Sequence, residues 1–164
     1  MWSHPAHAIA LGLGSGLSPW APGTVGTLWG WLSFLFLSRW LTDGQMLLFW
    51  LGAFGLGWWA CTRTAQHLGV ADPGAIVWDE VLAIWLVLWL LLPAGFWAQL
   101  AAFALFRYFD AAKPGSVGWA DRLYKLRPGQ AIGWAQGWGI LFDDLVAAGC
   151  TLLTIAGVMR LWNY

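Results

Sequence analysis

Two carboxylate pairs, Asp79-Glu80 and Asp143-Asp144, interrupt otherwise apolar stretches of this 164-residue chain. Acids in such surroundings call for a cation. An aspartate at the centre of a bilayer costs roughly 2.5–3.5 kcal/mol on insertion scales, more than several leucines return. Successive helical residues point about 100° apart, so one member of a pair can face a metal while the other holds a water or a second cation. Asp110 adds a fifth carboxylate. It stands at three-residue spacing between Arg107 and Lys113 in Phe106-Arg107-Tyr108-Phe109-Asp110-Ala111-Ala112-Lys113-Pro114, so all three share one face at a helix end that Pro114 terminates. The set Asp79, Glu80, Asp110, Asp143 and Asp144 offers hard oxygens with no convergent His or Cys, which suits Mg²⁺ better than Zn²⁺. Arg107 and Lys113 suit a phosphate clamp. The plainer reading of that segment is a snorkelling Arg/Lys pair with an aspartate counter-ion.

A glycine-rich stretch, Gly12 to Thr27, precedes the first long apolar run and carries Ser18 and Thr24. Such a loop can cradle phosphate at a helix N-terminus, with those two hydroxyls as ligands. It is not a P-loop, because no Gly-Lys-Ser/Thr closes it. The alternative is a tight helix contact with Ser18 and Thr24 as caps. In Asp72-Pro73-Gly74-Ala75-Ile76-Val77-Trp78-Asp79-Glu80, Asp72 reads as an N-cap with Pro73 at the first helical position. Asp79 and Glu80 then fall in the second turn, roughly 10 Å along the helix, at headgroup depth. Asp121 and Arg122 read as solvated loop charges. Other nucleophiles are scarce: His4, His7 and His67 are peripheral, neither Cys61 nor Cys150 is followed six residues later by arginine, and no Gly-X-Ser-X-Gly elbow occurs.

The elements that must position these groups are hydrophobic helices. The chain is 60% hydrophobic and 10% charged, with 16 tryptophans and a formal net charge of zero, and its mean hydropathy is +0.63. A soluble domain carries about a quarter charged residues. Too few polar side chains exist here to cover a water-facing surface, and no basic stripe suggests nucleic acid. Apolar runs at Leu28–Trp40, Met46–Cys61, Ala75–Leu92, Ala94–Phe109 and Trp138–Trp162 predict about five helices. Only the last is comfortably long for a span of about 20 residues, so the others tilt, borrow flanking residues or include a re-entrant or interfacial segment. The expected fold is therefore all-α, a polytopic membrane helical bundle forming a single domain over 1–164.

Five of the eight basic residues, Arg107, Lys113, Arg122, Lys125 and Arg127, lie in or just before the loop from Asp110 to Ala131. The positive-inside rule makes that loop cytoplasmic. Alternation then leaves only Arg39, Asp43 and Arg160 among the charged residues at outer ends, together with the C-terminal Asn163-Tyr164. The acids accordingly share the cytoplasmic face. The start of the chain lacks a basic n-region, so the N-terminus is expected to be retained. Cys61 and Cys150, each within an apolar run, are expected to be reduced packing residues.

Four segments, GLGSGLSPWAPGTVGT, IVWDE, FRYFDAAKP and GWGILFDD, together resemble the phosphatidylglycerophosphatase A family over about Ala10 to Ala148. The resemblance implies a mainly helical lipid phosphatase of the bacterial inner membrane, multi-pass, with its active site facing the cytoplasm. Its reaction would be Mg²⁺-dependent hydrolysis of phosphatidylglycerophosphate to phosphatidylglycerol and inorganic phosphate. The motif positions carried over are Ser18, Pro19, Pro22, Gly23 and Thr24; Asp79 and Glu80; Arg107, Asp110, Lys113 and Pro114; Asp121; and Gly139, Asp143 and Asp144. Gly115-Ser116-Val117 departs from the family's usual Pro and Ile, and Arg127 to Gln136 has no obvious counterpart, which bears on loop conformation. On this reading Asp79, Glu80, Asp110, Asp143 and Asp144 hold one or two Mg²⁺, while Arg107 and Lys113 neutralise the phosphate and water attacks phosphorus in line. Partners would be the phospholipid substrate and the bilayer, no nucleic acid, with a homo-oligomer permitted. The rival is a small membrane cation transporter or channel using the same acids as ion ligands.

Overall fold

The computed structural model describes residues 4–162, and the Asn163-Tyr164 terminus assigned outward above lies outside them. The expectation of an all-helical chain holds: among the described residues there is no strand. The five apolar runs become α2 (Pro22–Trp40), α3 (Asp43–Leu68), α4 (Trp78–Leu90), α5 (Phe96–Ala112) and α7 (Trp134–Trp162). Three shorter elements join them: α1 (Pro5–Ala10), a 3-10 segment (Gly12–Leu17) and α6 (Ser116–Leu123). α6 falls in what the sequence suggested was plain loop. It buries Val117 and Ala120 and leaves Arg122 exposed.

The helix ends follow local chemistry. A capping box starts α3, where Thr42 Oγ1 accepts from Gln45 N and the Gln45 side chain accepts from Thr42 N at 3.0 Å. Gly69, in the left-handed region, ends it. α5 stops at Lys113, also left-handed, because Pro114 cannot continue the helix.

One expected boundary is wrong. Helix α4 begins at Trp78 with Val77 as its N-cap, not at Pro73, so Asp72 caps nothing and Asp79 and Glu80 sit in the first turn. The segment before α4 is instead tied down as turn and extended chain. Val77 N donates to Ala10 O at 2.9 Å, and the Val77 side chain packs where a Cβ on Gly12, Gly16 or Gly26 would stand, at 2.8, 3.1 and 2.6 Å. The glycine-rich stretch thus makes the tight contact that was one of its two readings, and that contact holds Val77 out of the helix.

α4, at 13 residues, is the buried axis of the bundle. Ile84 and Val81 press on Gly30 of α2, and the Trp78 ring lies against Gly57 of α3. Tryptophans cross-link the layers with indole hydrogen bonds that satisfy helix carbonyls: Trp85 to Gly30 O, Trp50 to Leu82 O, Trp78 to Ala53 O and Trp58 to Trp134 O, all within 3.1 Å. Gly137 lets α7 meet α3 so closely that an added Cβ would stand 1.9 Å from Thr62 Oγ1.

Among the described residues one helix, Trp134–Leu161, is long and apolar enough to cross a membrane. Cys61 and Cys150 are free, and Cys61 is buried.

Candidate active site

The beginnings of α2 and α4, the end of α5 and the third turn of α7 meet at one end of the bundle. Asp79 and Glu80 come from the first turn of α4, and Asp144 comes from α7. One carboxylate oxygen from each lies within 4.8 Å of the other two. Glu80 and Asp144 are 9% and 3% exposed. Asp79 Oδ1, Glu80 Oε2 and Asp144 Oδ2 are buried without any hydrogen-bond partner. Three carboxylates this close, with oxygens starved of donors, are held together only at a large electrostatic cost unless a cation joins them. Their hard, oxygen-only donor set fits Mg²⁺. Asp79, Glu80 and Asp144 are the residues that would hold it.

The other two acids are engaged elsewhere. Asp110 Oδ2 receives Arg107 Nη1 at 2.5 Å, with the Asp110 carboxylate beside Asp144. Asp143 Oδ2 receives Lys113 Nζ at 2.5 Å. The five-acid set read from the sequence therefore separates into a core of three and a flanking pair bonded to the two cations.

Arg107 is the hub between the two. Its Nη1 lies 3.7 Å from Glu80 Oε1 and donates to Thr27 Oγ1 at 3.3 Å. Thr27, fully buried, donates in turn to Gly23 O at 2.8 Å. Gly23 belongs to the first turn of α2, and a Cβ there would lie 2.3 Å from Glu80 Oε1 and 3.2 Å from both Arg107 terminal nitrogens. The helix N-terminus, with its free amides and positive dipole end, thus abuts the acids.

Lys113 bridges Asp143 and Asp121, the latter at 2.6 Å, and Lys125 reaches the other Asp121 oxygen at 2.7 Å. Burial works against both charges, but their partners prevail: the Asp121 carboxyl is held below its usual range and the Lys113 ammonium above its own. Asp121 is therefore a structural counter-ion rather than the solvated charge the loop suggested.

Ser18 and Thr24 are not among the groups touching the acids. Ser18 Oγ closes a local turn, donating to Trp20 O and accepting from Trp20 N, and Thr24 is exposed on α2. Gly23 and Thr27 make the contacts instead. Sequence reading passed over Thr27 as a site residue, although its spacing from Gly23, one helical turn, was the available signal.

His67 lies in the last turn of α3, with Nδ1 2.9 Å from His7 Nε2. That pair packs at the α1–α3 contact.

Residues 8–159 match the family model described as phosphatidylglycerophosphatase A. Among curated proteins, the chain is 38% identical over 146 residues to the phosphatidylglycerophosphatase A of Escherichia coli (strain K12), covering 88% of this chain and 78% of that protein. It is 38% identical over 156 residues to the phosphatidylglycerophosphatase A of Haemophilus influenzae, covering 94% and 89%. It is also 33% identical over 159 residues to a putative phosphatidylinositol-3-phosphatase of Bacteroides thetaiotaomicron, covering 90% and 89%. No solved structure matches.

Proposed function

We propose that this chain, which belongs to the phosphatidylglycerophosphatase A family, hydrolyses the terminal phosphomonoester of phosphatidylglycerophosphate to phosphatidylglycerol and inorganic phosphate. The observation that carries the reading is the trio of partnerless carboxylate oxygens on Asp79, Glu80 and Asp144, set against Arg107 and the start of α2. Mg²⁺ bound there would neutralise phosphoryl charge and make a water molecule more acidic.

The chain's own groups do the rest. Arg107, fixed in place by Asp110 and Thr27, lies where a phosphoryl oxygen would share it with Glu80. The free amides of the first turn of α2 face the same point and favour an anion. Lys113 draws Asp143 toward Asp121 and so orients the neighbouring Asp144, while its positive charge adds to the field felt by the phosphate. In-line attack by water requires little covalent chemistry from the protein, so positioning and charge carry the rate.

The proposal includes the membrane setting: 1–164 acts as one multi-pass domain in a bacterial inner membrane, alone or as a homo-oligomer, with the bilayer and its phospholipid as partners. α7 has the length and apolar composition for one span. α2 and α3, at 19 and 26 residues, are not among the helices apolar enough to span by composition alone, and their proposed crossings draw instead on the exposed apolar side chains Leu28, Leu32, Phe36, Leu48 and Leu51. The basic residues around α6 favour the cytoplasmic side for the site. The ion-path alternative lacks support: among the described residues the buried charged side chains, Glu80, Asp143 and Asp144, all belong to this one end.

The test is phosphate release by purified protein in mixed micelles with and without Mg²⁺, offering phosphatidylglycerophosphate, phosphatidylinositol 3-phosphate and phosphatidate in parallel. Mg²⁺-dependent release with the first substrate preferred is the expected result. Preference for the inositol lipid would keep the chemistry and transfer this chain to the activity named for the Bacteroides relative.

A further inference from the structure

A phosphomonoesterase must house the alcohol that leaves as well as the phosphate. Two of the cavities in the molecule are apolar and flank the outer face of α2, lined by side chains such as Leu13, Trp29 and Leu32. A third, of about 330 Å³, mixes charged and apolar side chains, and Asp143, next in sequence to Asp144 of the acid trio, forms part of its wall. Its other walls are the bend at Asp72, Asp121 of α6 with Tyr124 and Lys125 just beyond it, and Gly139 of α7. Gly139 has no side chain to fill the space, and a Cβ there would stand 2.6 Å from Tyr124 Cβ.

The lining selects among ligands. Three carboxylates, Asp72, Asp121 and Asp143, face one ammonium, Lys125. Lys113 and Lys125 already occupy oxygens of Asp121 and Asp143. Asp72 makes no direct hydrogen bond or ion pair among the described residues, and it is exposed at the cavity. Asp121 and Asp143 are thus offset by lysines, and Asp72, which as a carboxylate accepts and never donates when ionised, is left to receive a hydroxyl hydrogen rather than a phosphate oxygen. Lys125, paired to Asp121 but with 63% of its side chain exposed, presents its positive charge at the rim.

We propose that this cavity receives the hydroxyl-bearing, leaving part of the lipid headgroup, with Asp72 as a specificity-determining residue that accepts a headgroup hydroxyl and Lys125 meeting the phosphodiester beyond it. The inference rests on the phosphatase reading and extends it. In this arrangement the reacting phosphate lies at the acid trio, the polyol lies past Asp143, and the diacylglycerol follows outward past Lys125. Asp72 thereby gains a function at a position where the sequence suggested a helix cap.

The experiment compares wild type, Asp72→Ala and Asp72→Asn on phosphatidylglycerophosphate and on phosphatidate, whose phosphate is esterified directly to diacylglycerol and brings no polyol. Asp72→Ala is expected to shrink the preference for the polyol substrate, as a ratio of kcat/KM values, by about ten- to a hundred-fold, chiefly through KM. Asp72→Asn, which retains an acceptor, should restore part of it. An equal fall on both substrates, or an unchanged ratio, overturns the proposal.

A turnover-independent arm separates this from failure of the phosphatase reading. In a Cys150→Ser background, Ala71→Cys at the cavity wall is labelled with a water-soluble maleimide. Glycerophosphoglycerol should slow labelling several-fold and inorganic phosphate should not. Protection without any phosphatase activity would retain the cavity and remove the reaction; no protection removes the cavity.

Discussion

Replacing Gly23 with alanine separates folding from catalysis at this site. Gly23 is helical, so alanine is favoured there intrinsically by up to about 1 kcal/mol. The new Cβ would stand 2.3 Å from Glu80 Oε1 and 3.2 Å from each terminal nitrogen of Arg107. Restoring ordinary contact requires the Glu80 carboxylate to retreat by about an ångström. That movement is cheap for the fold, because the obstructed atom is the far end of a flexible side chain. It is expensive for chemistry, because Glu80 belongs to the acid trio and a misplacement of about 1 Å costs on the order of a hundred-fold in rate, equivalent to about 2.7 kcal/mol of transition-state stabilisation. Phosphate release under saturating Mg²⁺ should therefore fall by about two orders of magnitude. Thermal unfolding in detergent should stay within a few degrees of wild type. Turnover within threefold of wild type would refute the placement of Gly23 against the reacting groups. A comparable loss of thermal stability would instead show that the contact is structural.

Other substitutions probe different parts of the same geometry. Asp144→Asn removes one of three clustered negative charges, so turnover should drop by orders of magnitude while the Tm measured in chelator rises, and the increase in Tm that Mg²⁺ is expected to give wild type should be lost. Thr27→Val keeps shape but takes the acceptor from Arg107 and the hydroxyl from Gly23 O; about a tenfold loss of kcat/KM is expected, with Thr27→Ser recovering most of it. Gly137→Ala would place a Cβ 3.0 Å from the Thr62 Cα as well as against its hydroxyl, so α3 and α7 must separate and stability should fall by about 1–3 kcal/mol, read as a lower denaturation midpoint. The Asp121 carboxyl is held down by Lys113 and Lys125, so its contribution is complete above the unfolded value of about 3.9 and disappears as pH falls through the lower folded value. Protection of the α6 amides against hydrogen exchange, taken relative to the intrinsic rate at each pH, should be unchanged from about pH 8 to 5 and should fall below about pH 4.

The helices were legible because hydropathy is a local property: five apolar runs became five of the helices, and Pro114 marked a boundary by chemistry that neighbours in sequence control. The start of α4 was not legible. Asp72-Pro73 has every local mark of a helix start, but Val77 is bound to Ala10 O and wedged among three glycines from a distant segment, and that packing outweighs the cap.

For the site, the sequence alone determined which residues bear charge in apolar surroundings, because burying a carboxylate is costly wherever it lies. It named the five acids and the two cations and brought them to one end. Only the tertiary structure decided how they divide: Asp79, Glu80 and Asp144 left with unsatisfied oxygens, Asp110 given to Arg107 and Asp143 to Lys113. That division depends on distances of an ångström or two between four helices. Spacing along one chain fixes which face a residue lies on, but close approaches such as Gly23 on Glu80 set which oxygen finds a partner.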